Sequence, residues 1–264
     1  MNDLLKLYAR PKLKSPIMLA AWPGVGSVST LVAQYLLRKL EFKRLGEIQA
    51  IHFFDPVGIA VENNVVEAPQ FPQSKFYYWK NPEEGNDIIL FIGDDQPASK
   101  SYELARCVID MGRRFKVSRV YTCAAALTRI HHSEQPQVWG AVTSPYLTDA
   151  LVRYDLAQRG DLHIAGLNGL LLGVAKENNV EGICLLGEVP MYATRIQNPM
   201  AALAVIRVLA HILNIKVDMN DLQQLAAEAR EKMKQIAAEA MGEYIDFYTE
   251  PIWEQDDDGE DEEE

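Results

Sequence analysis

An α/β fold, with helices packed on a mainly parallel sheet, is what this sequence predicts, and three observations predict it. Apolar runs of strand length recur at Ile17 to Ala21, Asp87 to Ile92, Arg119 to Cys123 and Gly182 to Leu186, with helically spaced apolar residues between them. A glycine turn, Gly24-Val25-Gly26-Ser27, joins the first run to the first helical segment. The stretch from Gly166 to Thr194 carries a complete unit: a glycine-rich turn with Asn168, a short apolar helix, a polar turn at Glu177 to Asn179, and a strand ending in Gly187-Glu188. Open α/β sheets bind ligands at the carboxyl ends of such strands.

Taken in order, Ile17 to Ala21 reads as a strand and Val28 to Leu40 as a helix. Gly46 to Ile51 reads as a second strand, followed by an irregular region with four prolines between positions 56 and 82. Within it the aromatic run Phe76-Tyr77-Tyr78-Trp79 predicts a hairpin or an excursion from the sheet, used for packing or for a subunit contact. Asp87 to Ile92 is a buried strand, and Ser99 is placed to cap a helix running to about Phe115. Asp94 and Asp95, just past that strand, fit either a ligand rim or local turn capping. Arg119 to Cys123 is the next strand; the small residues Ala124 to Ala126 after it allow another chain segment to approach closely. Val138 to Thr143 reads as a strand and Leu147 to Gln158 as a helix, and the organising unit then supplies a helix from Leu170 to Lys176 and the strand from Gly182 to Leu186. Asn198 is a plausible N-cap with Pro199 in the first helical position of a nearly all-apolar helix to Leu213. Asp218 and Asp221 resemble a capping box before a long amphipathic helix to about Phe247.

At 264 residues and 48% hydrophobic content, the chain is long enough to bury a large core. It reads as one domain over residues 1–248, including a helical extension at about 218–248, with an acidic tail at 249–264. The net charge of −11 is concentrated there, since nine carboxylates lie between Glu254 and Glu264 and the remainder is close to neutral. That distribution argues against a nucleic-acid partner and for a solvated, disordered tail. No apolar run reaches the ~18 residues of a membrane helix, because Arg207 and His211 interrupt the best candidate. With no leader pattern at the start, a cytoplasmic protein without a membrane partner is expected. Cys107, Cys123 and Cys184 are widely spaced in apolar segments, as buried thiols rather than a disulfide or zinc framework.

The candidate site residues are those placed at strand ends. Gly24, Gly26 and Ser27 would turn backbone amides toward an anion at a helix start. The turn has neither the lysine of a P-loop nor the third glycine of a dinucleotide fingerprint. Asn168 and Glu188 would bind polar ligand groups and Arg195 would neutralise charge, while each has a structural alternative in turns, caps or an ion pair between Glu188 and Arg195. His131-His132-Ser133-Glu134 is the only histidine cluster; adjacent histidines diverge on regular elements, so a solvated loop is expected. No catalytic residue, metal ligand or cofactor is assigned.

Several segments in this order resemble the proteasome assembly chaperone family of the second-subunit type. They are Ala21-Trp22-Pro23-Gly24-Val25-Gly26, Glu62-Asn63, Leu90-Phe91-Ile92-Gly93 with Gln96-Pro97, Tyr102-Glu103-Leu104-Ala105, Val120-Tyr121-Thr122, and Gly166 to Thr194 followed by Asn198-Pro199. The resemblance implies a three-layer α/β sandwich like that of purine nucleoside phosphorylases, and a protein that binds proteasome subunits as a scaffold. It also implies self-association, with a trimer as one form. Archaeal relatives that dock on the proteasome end in a hydrophobic residue, tyrosine and one final residue; this chain ends in Glu262-Glu263-Glu264, which argues against docking through the C-terminus.

Two functions follow. The first is a non-catalytic, homo-oligomeric, chaperone-like scaffold for another protein, favoured because no complete catalytic constellation is present. The second is an enzyme or sensor that binds a nucleoside, phosphate or carboxylate at the strand carboxyl ends through the candidate residues above.

Overall fold

The structure, a computed structural model, describes residues 4–56, 58–157 and 161–249, with side chains to residue 238. The expected acidic tail therefore lies outside the described residues, apart from Thr249.

In the first half, the strands are β1 (Leu5–Leu7), β2 (Ile17–Ala21), β3 (Lys43–Ile48), β4 (Val61–Glu62), β5 (Val65–Val66), β6 (Ser74–Trp79) and β7 (Ile88–Gly93), with helix α1 (Val28–Lys39) after β2 and α2 (Ser101–Arg114) after β7. The second half adds β8 (Arg119–Thr128), β9 (Val138–Val142), α3 (Thr148–Arg153), α4 (Leu167–Glu177), β10 (Glu181–Pro190), α5 (Pro199–Leu213) and α6 (Asn220–Thr249). Among the described residues, eight strands form one sheet in the order β1-β3-β6-β7-β2-β8-β10-β9.

The centre of the sheet is parallel, with β2 between β7 and β8, and β10 beside β8. Every residue of β2 and β7 is buried, as expected of strands covered on both faces. The flanks are antiparallel: β6 and β3 extend one side to β1, and β9 closes the other. The sheet is thus mixed rather than mainly parallel. The Phe76 to Trp79 run is an internal strand of this sheet and not an excursion, with Phe76 buried against Phe91 at 4.8 Å between ring centroids. The excursion is the preceding segment, where the β4–β5 hairpin is exposed.

Strand alternation divides the core between two helical layers. Leu19, Leu90, Tyr121, Ile183, Leu185 and Val189 face α1, α5 and α6. Met18, Ala20, Ile89, Phe91 and Val120 face α2 and α4. The result is the expected three-layer α/β sandwich with a long C-terminal helix.

Several boundaries move for local reasons. β3 begins three residues before the expected Gly46 start and gives way to a 3-10 turn at Ala50–His52. Ser99 is not the cap of α2: the helix opens after Lys100, which holds φ 61°, and its first residue, Ser101, bonds the Pro97 carbonyl. The helix expected to start at Leu147 is only Thr148–Arg153. The cap of α5 is as expected, with the Asn198 Oδ1 accepting the Ala201 amide at 2.9 Å and Pro199 in the first turn.

Asp218 and Asp221 do not form a capping box; they join α6 to α1. The Tyr35 hydroxyl bridges the Asp221 carboxylate and the Asp218 main-chain oxygen, and Lys39 reaches both side chains at 3.1 Å. The Tyr35 hydrogen bond, with help from Lys39, holds the Asp221 carboxyl down to about 2 from an ordinary 3.8. Because the folded value is depressed, this contribution is complete above about pH 4 and is lost as the pH falls through about 2. In urea melts, the stability difference between the wild type and Asp221→Asn should be largest near neutral pH and shrink toward pH 2. A difference independent of pH would refute the clamp.

Candidate functional site

At the carboxyl ends of β2, β8 and β10, a pocket of about 290 Å³ opens on the α4 side of the sheet. The loop Pro23 to Val25, the first turn of α4, and Ala124 and Ala126 of β8 border it. The small residues after Cys123 let the segment at Ile164 pack against β8, as expected, and also border this space. Three polar side chains on its wall are already bonded to the protein. Asn168, 4% exposed, accepts from the Trp22 amide at 3.1 Å and the Ser29 hydroxyl at 3.2 Å, and donates to the Trp22 carbonyl at 3.1 Å. Gln96 donates to the Pro23 carbonyl at 2.6 Å and accepts from the Leu167 amide at 2.8 Å. Together they sew the β2 turn to the start of α4.

Of the predicted site residues, only Gly24 and Asn168 line this pocket. Gly26 is buried beneath it with φ 61°, and a Cβ there would lie 3.2 Å from Cβ of Asn198. Its carbonyl accepts the Asn198 amide at 2.8 Å. Gly26 therefore lets α5 approach the turn. Ser27, also left-handed at φ 52°, donates its amide to the Gly24 carbonyl at 3.0 Å. Gly26 and Val189 are in packing range, so the two loops share one rim, as the sequence requires of a common site.

β10 continues to Pro190, so Glu188 lies within the strand and not beyond it. It is 6% exposed; its carboxylate accepts the Gln137 amide at 3.0 Å and the Trp139 indole N–H at 3.2 Å. It borders a second, neighbouring pocket that shares Leu127 and Trp139 with the first. Arg195 is exposed, lines neither pocket and forms no ion pair with Glu188. Gln96, Gln137 and Trp139 are rim residues that sequence reasoning did not place in the candidate site. Their roles depend on strand neighbours far away in the chain, and Trp139 two residues from Gln137 was the only local signal.

His132 is tucked against Tyr192, whose hydroxyl accepts its amide at 3.0 Å, while His131, Ser133 and Glu134 of the same turn are exposed, as expected of a solvated loop. Burial, then His131, hold its imidazole below the ordinary range. Burial pushes the Cys107 thiol up to about 11 and that of Cys184 to about 12, so both are held protonated. Among the described residues no cluster of three or more potential ligands would hold a metal ion, and no helix is long and apolar enough to cross a membrane.

These features define a three-layer α/β protein with an open rim lined by satisfied polar groups and exposed apolar side chains. The chain belongs to the PAC2 family, whose model matches residues 18–237. An uncharacterised protein of Methanocaldococcus jannaschii is 28% identical over 218 residues, spanning 81% of this chain and 80% of that relative. The crystal structure of Pyrococcus furiosus PbaB, an archaeal proteasome activator, is 28% identical, with a TM-score of 0.76 over 88% of this chain and 98% of that one. Pyrococcus furiosus PbaA, an archaeal homolog of proteasome-assembly chaperone, shares the fold at 22% identity and a TM-score of 0.67, over 88% and 96% of the two chains.

Proposed function

We propose that this chain is a non-catalytic, chaperone-like protein of the cytoplasm that forms a homo-oligomer and holds another protein, with a proteasome component as the first partner to test. The observation that carries this reading is the likeness to the proteasome activator PbaB over nearly the whole of both chains. The rim supports it, because Val25, Leu127, Met191 and Tyr192 present apolar surface there, each 40% or more exposed. The polar groups beside them, meanwhile, are committed to holding loops together.

Affinity capture of the full chain from native lysate, paired with sedimentation of the purified protein, tests both halves of the proposal. A co-purifying protein at fixed stoichiometry and a closed oligomer are the expected results. Recovery of only the chain itself across several growth conditions, or a monomer at micromolar concentration, would overturn the corresponding half.

A small-molecule role is the second reading, favoured by the 290 Å³ pocket at the strand carboxyl ends, with Gly24 and Asn168 on its wall. A thermal-shift screen with nucleosides, nucleotides and phosphate decides it, since a ligand at a hundred times its dissociation constant adds ~2.7 kcal/mol. No shift with any of them removes this reading.

A further inference from the structure

The carboxylate of Glu188 is the feature that the scaffold reading leaves unused. Burying a charged group is costly unless it is paired, and two neutral donors offset only part of that cost. Among the described residues, no lysine or arginine forms an ion pair with it. The carboxylate is not sealed in, however. It borders an open, mostly polar pocket of about 630 Å³, to which Leu127, Ile130, Trp139 and Met191 add four apolar side chains. Arg129 and Glu134, both exposed, also line it with one charge of each sign, so the only charge withdrawn from water is negative.

We infer that this pocket receives an alkyl cation, the side chain of a lysine or arginine presented by the bound partner protein. A long aliphatic stem with a cationic end matches what the pocket offers: a few apolar side chains for the methylenes to lie along and a buried carboxylate for the head. The carboxylate is aimed in advance, because each oxygen already accepts one hydrogen bond, from the Gln137 amide and the Trp139 indole. A charge pair withdrawn from water at the end of a pocket is one way a single side chain anchors a protein interface. Met191 and Tyr192 are exposed beside it. The inference rests on the partner-holding reading and adds which residue of the partner is gripped.

The Trp139 indole N–H reports directly on the carboxylate, and its proton signal can be followed in the full-length protein. N-acetyl-lysine methylamide should shift it saturably, whereas N-acetyl-norleucine methylamide, which lacks the ammonium, should not. Glu188→Gln should weaken the lysine response at least tenfold. Met191→Lys, at an exposed position, should weaken it as much with the melting temperature unchanged, which keeps the test valid if the first variant folds poorly. An equal response to norleucine, an undiminished response in both variants, or a silent indole overturns the inference. Capture experiments separate the two readings. If the wild type holds a partner and Glu188→Gln holds it equally well, the pocket is not the grip. If the wild type holds none, the scaffold reading itself fails.

Discussion

Replacing Asn168 with alanine should lower the stability of the protein by about 2 to 4 kcal/mol. The side chain makes three hydrogen bonds across 139 residues or more, to both main-chain groups of Trp22 and to the Ser29 hydroxyl. Removing it leaves the Trp22 amide and carbonyl buried without those partners, and the cost of orphaned polar groups exceeds the net value of the bonds themselves. For a chain of this size the loss corresponds to a fall in melting temperature of roughly 5 to 15 °C. Asn168→Asp makes the interpretation sharper. It keeps the shape and the acceptor but turns a donor into an oxygen facing the Trp22 carbonyl, so it should destabilise almost as much. Urea denaturation monitored by tryptophan fluorescence gives both numbers. If both variants stayed within ~0.5 kcal/mol of the wild type, the level of a neutral surface change, Asn168 would be a ligand group and not a clip.

Gly187→Val should have an effect of comparable size from the opposite cause. A Cβ at position 187 would sit 2.8 Å from the Ala201 carbonyl oxygen and 3.0 Å from the Ala201 Cβ. Both atoms belong to the first turn of α5, which has no flexible end to move aside. The helix must back away from β10, and such overpacking costs about 1 to 3 kcal/mol. Gly187→Ala should cost less, so an ordered series in the denaturation midpoint is the expected signature. Equal midpoints for the three proteins would mean that α5 does not press on the strand as described.

The central strands were legible because burial on both faces writes itself into the chain as unbroken apolar runs: β2 is Ile-Met-Leu-Ala-Ala and β7 is Ile-Ile-Leu-Phe-Ile-Gly. The Asn198-Pro199 cap was legible for the same reason, being a local event. β1 was missed because three residues carry no measurable periodicity, and it exists only by pairing with β3. β10 was cut short because Gly187, Glu188 and Pro190 look like the end of a strand. They remain in it because β8 pairs with it as far as Pro190, and Trp139 of β9, with Gln137 just ahead of that strand, supplies donors to Glu188. The glycine turn was recognised but the helix packed against it was not. The neighbour that crowds position 26 is Asn198, on top of a φ of 61° that strains any side chain, and no spacing rule joins residues so far apart.

The C-terminal helix meets more than the apolar back of the sandwich. A groove of about 550 Å³ runs between Ala226 and Arg230 of α6, Arg207 of α5, and Gln135 and Gln137 ahead of β9. The Gln137 amide is one of the two donors that fix the buried carboxylate of Glu188. One short loop therefore both walls the groove beside α6 and fixes the carboxylate at the rim, so Gln137 belongs to both places at once.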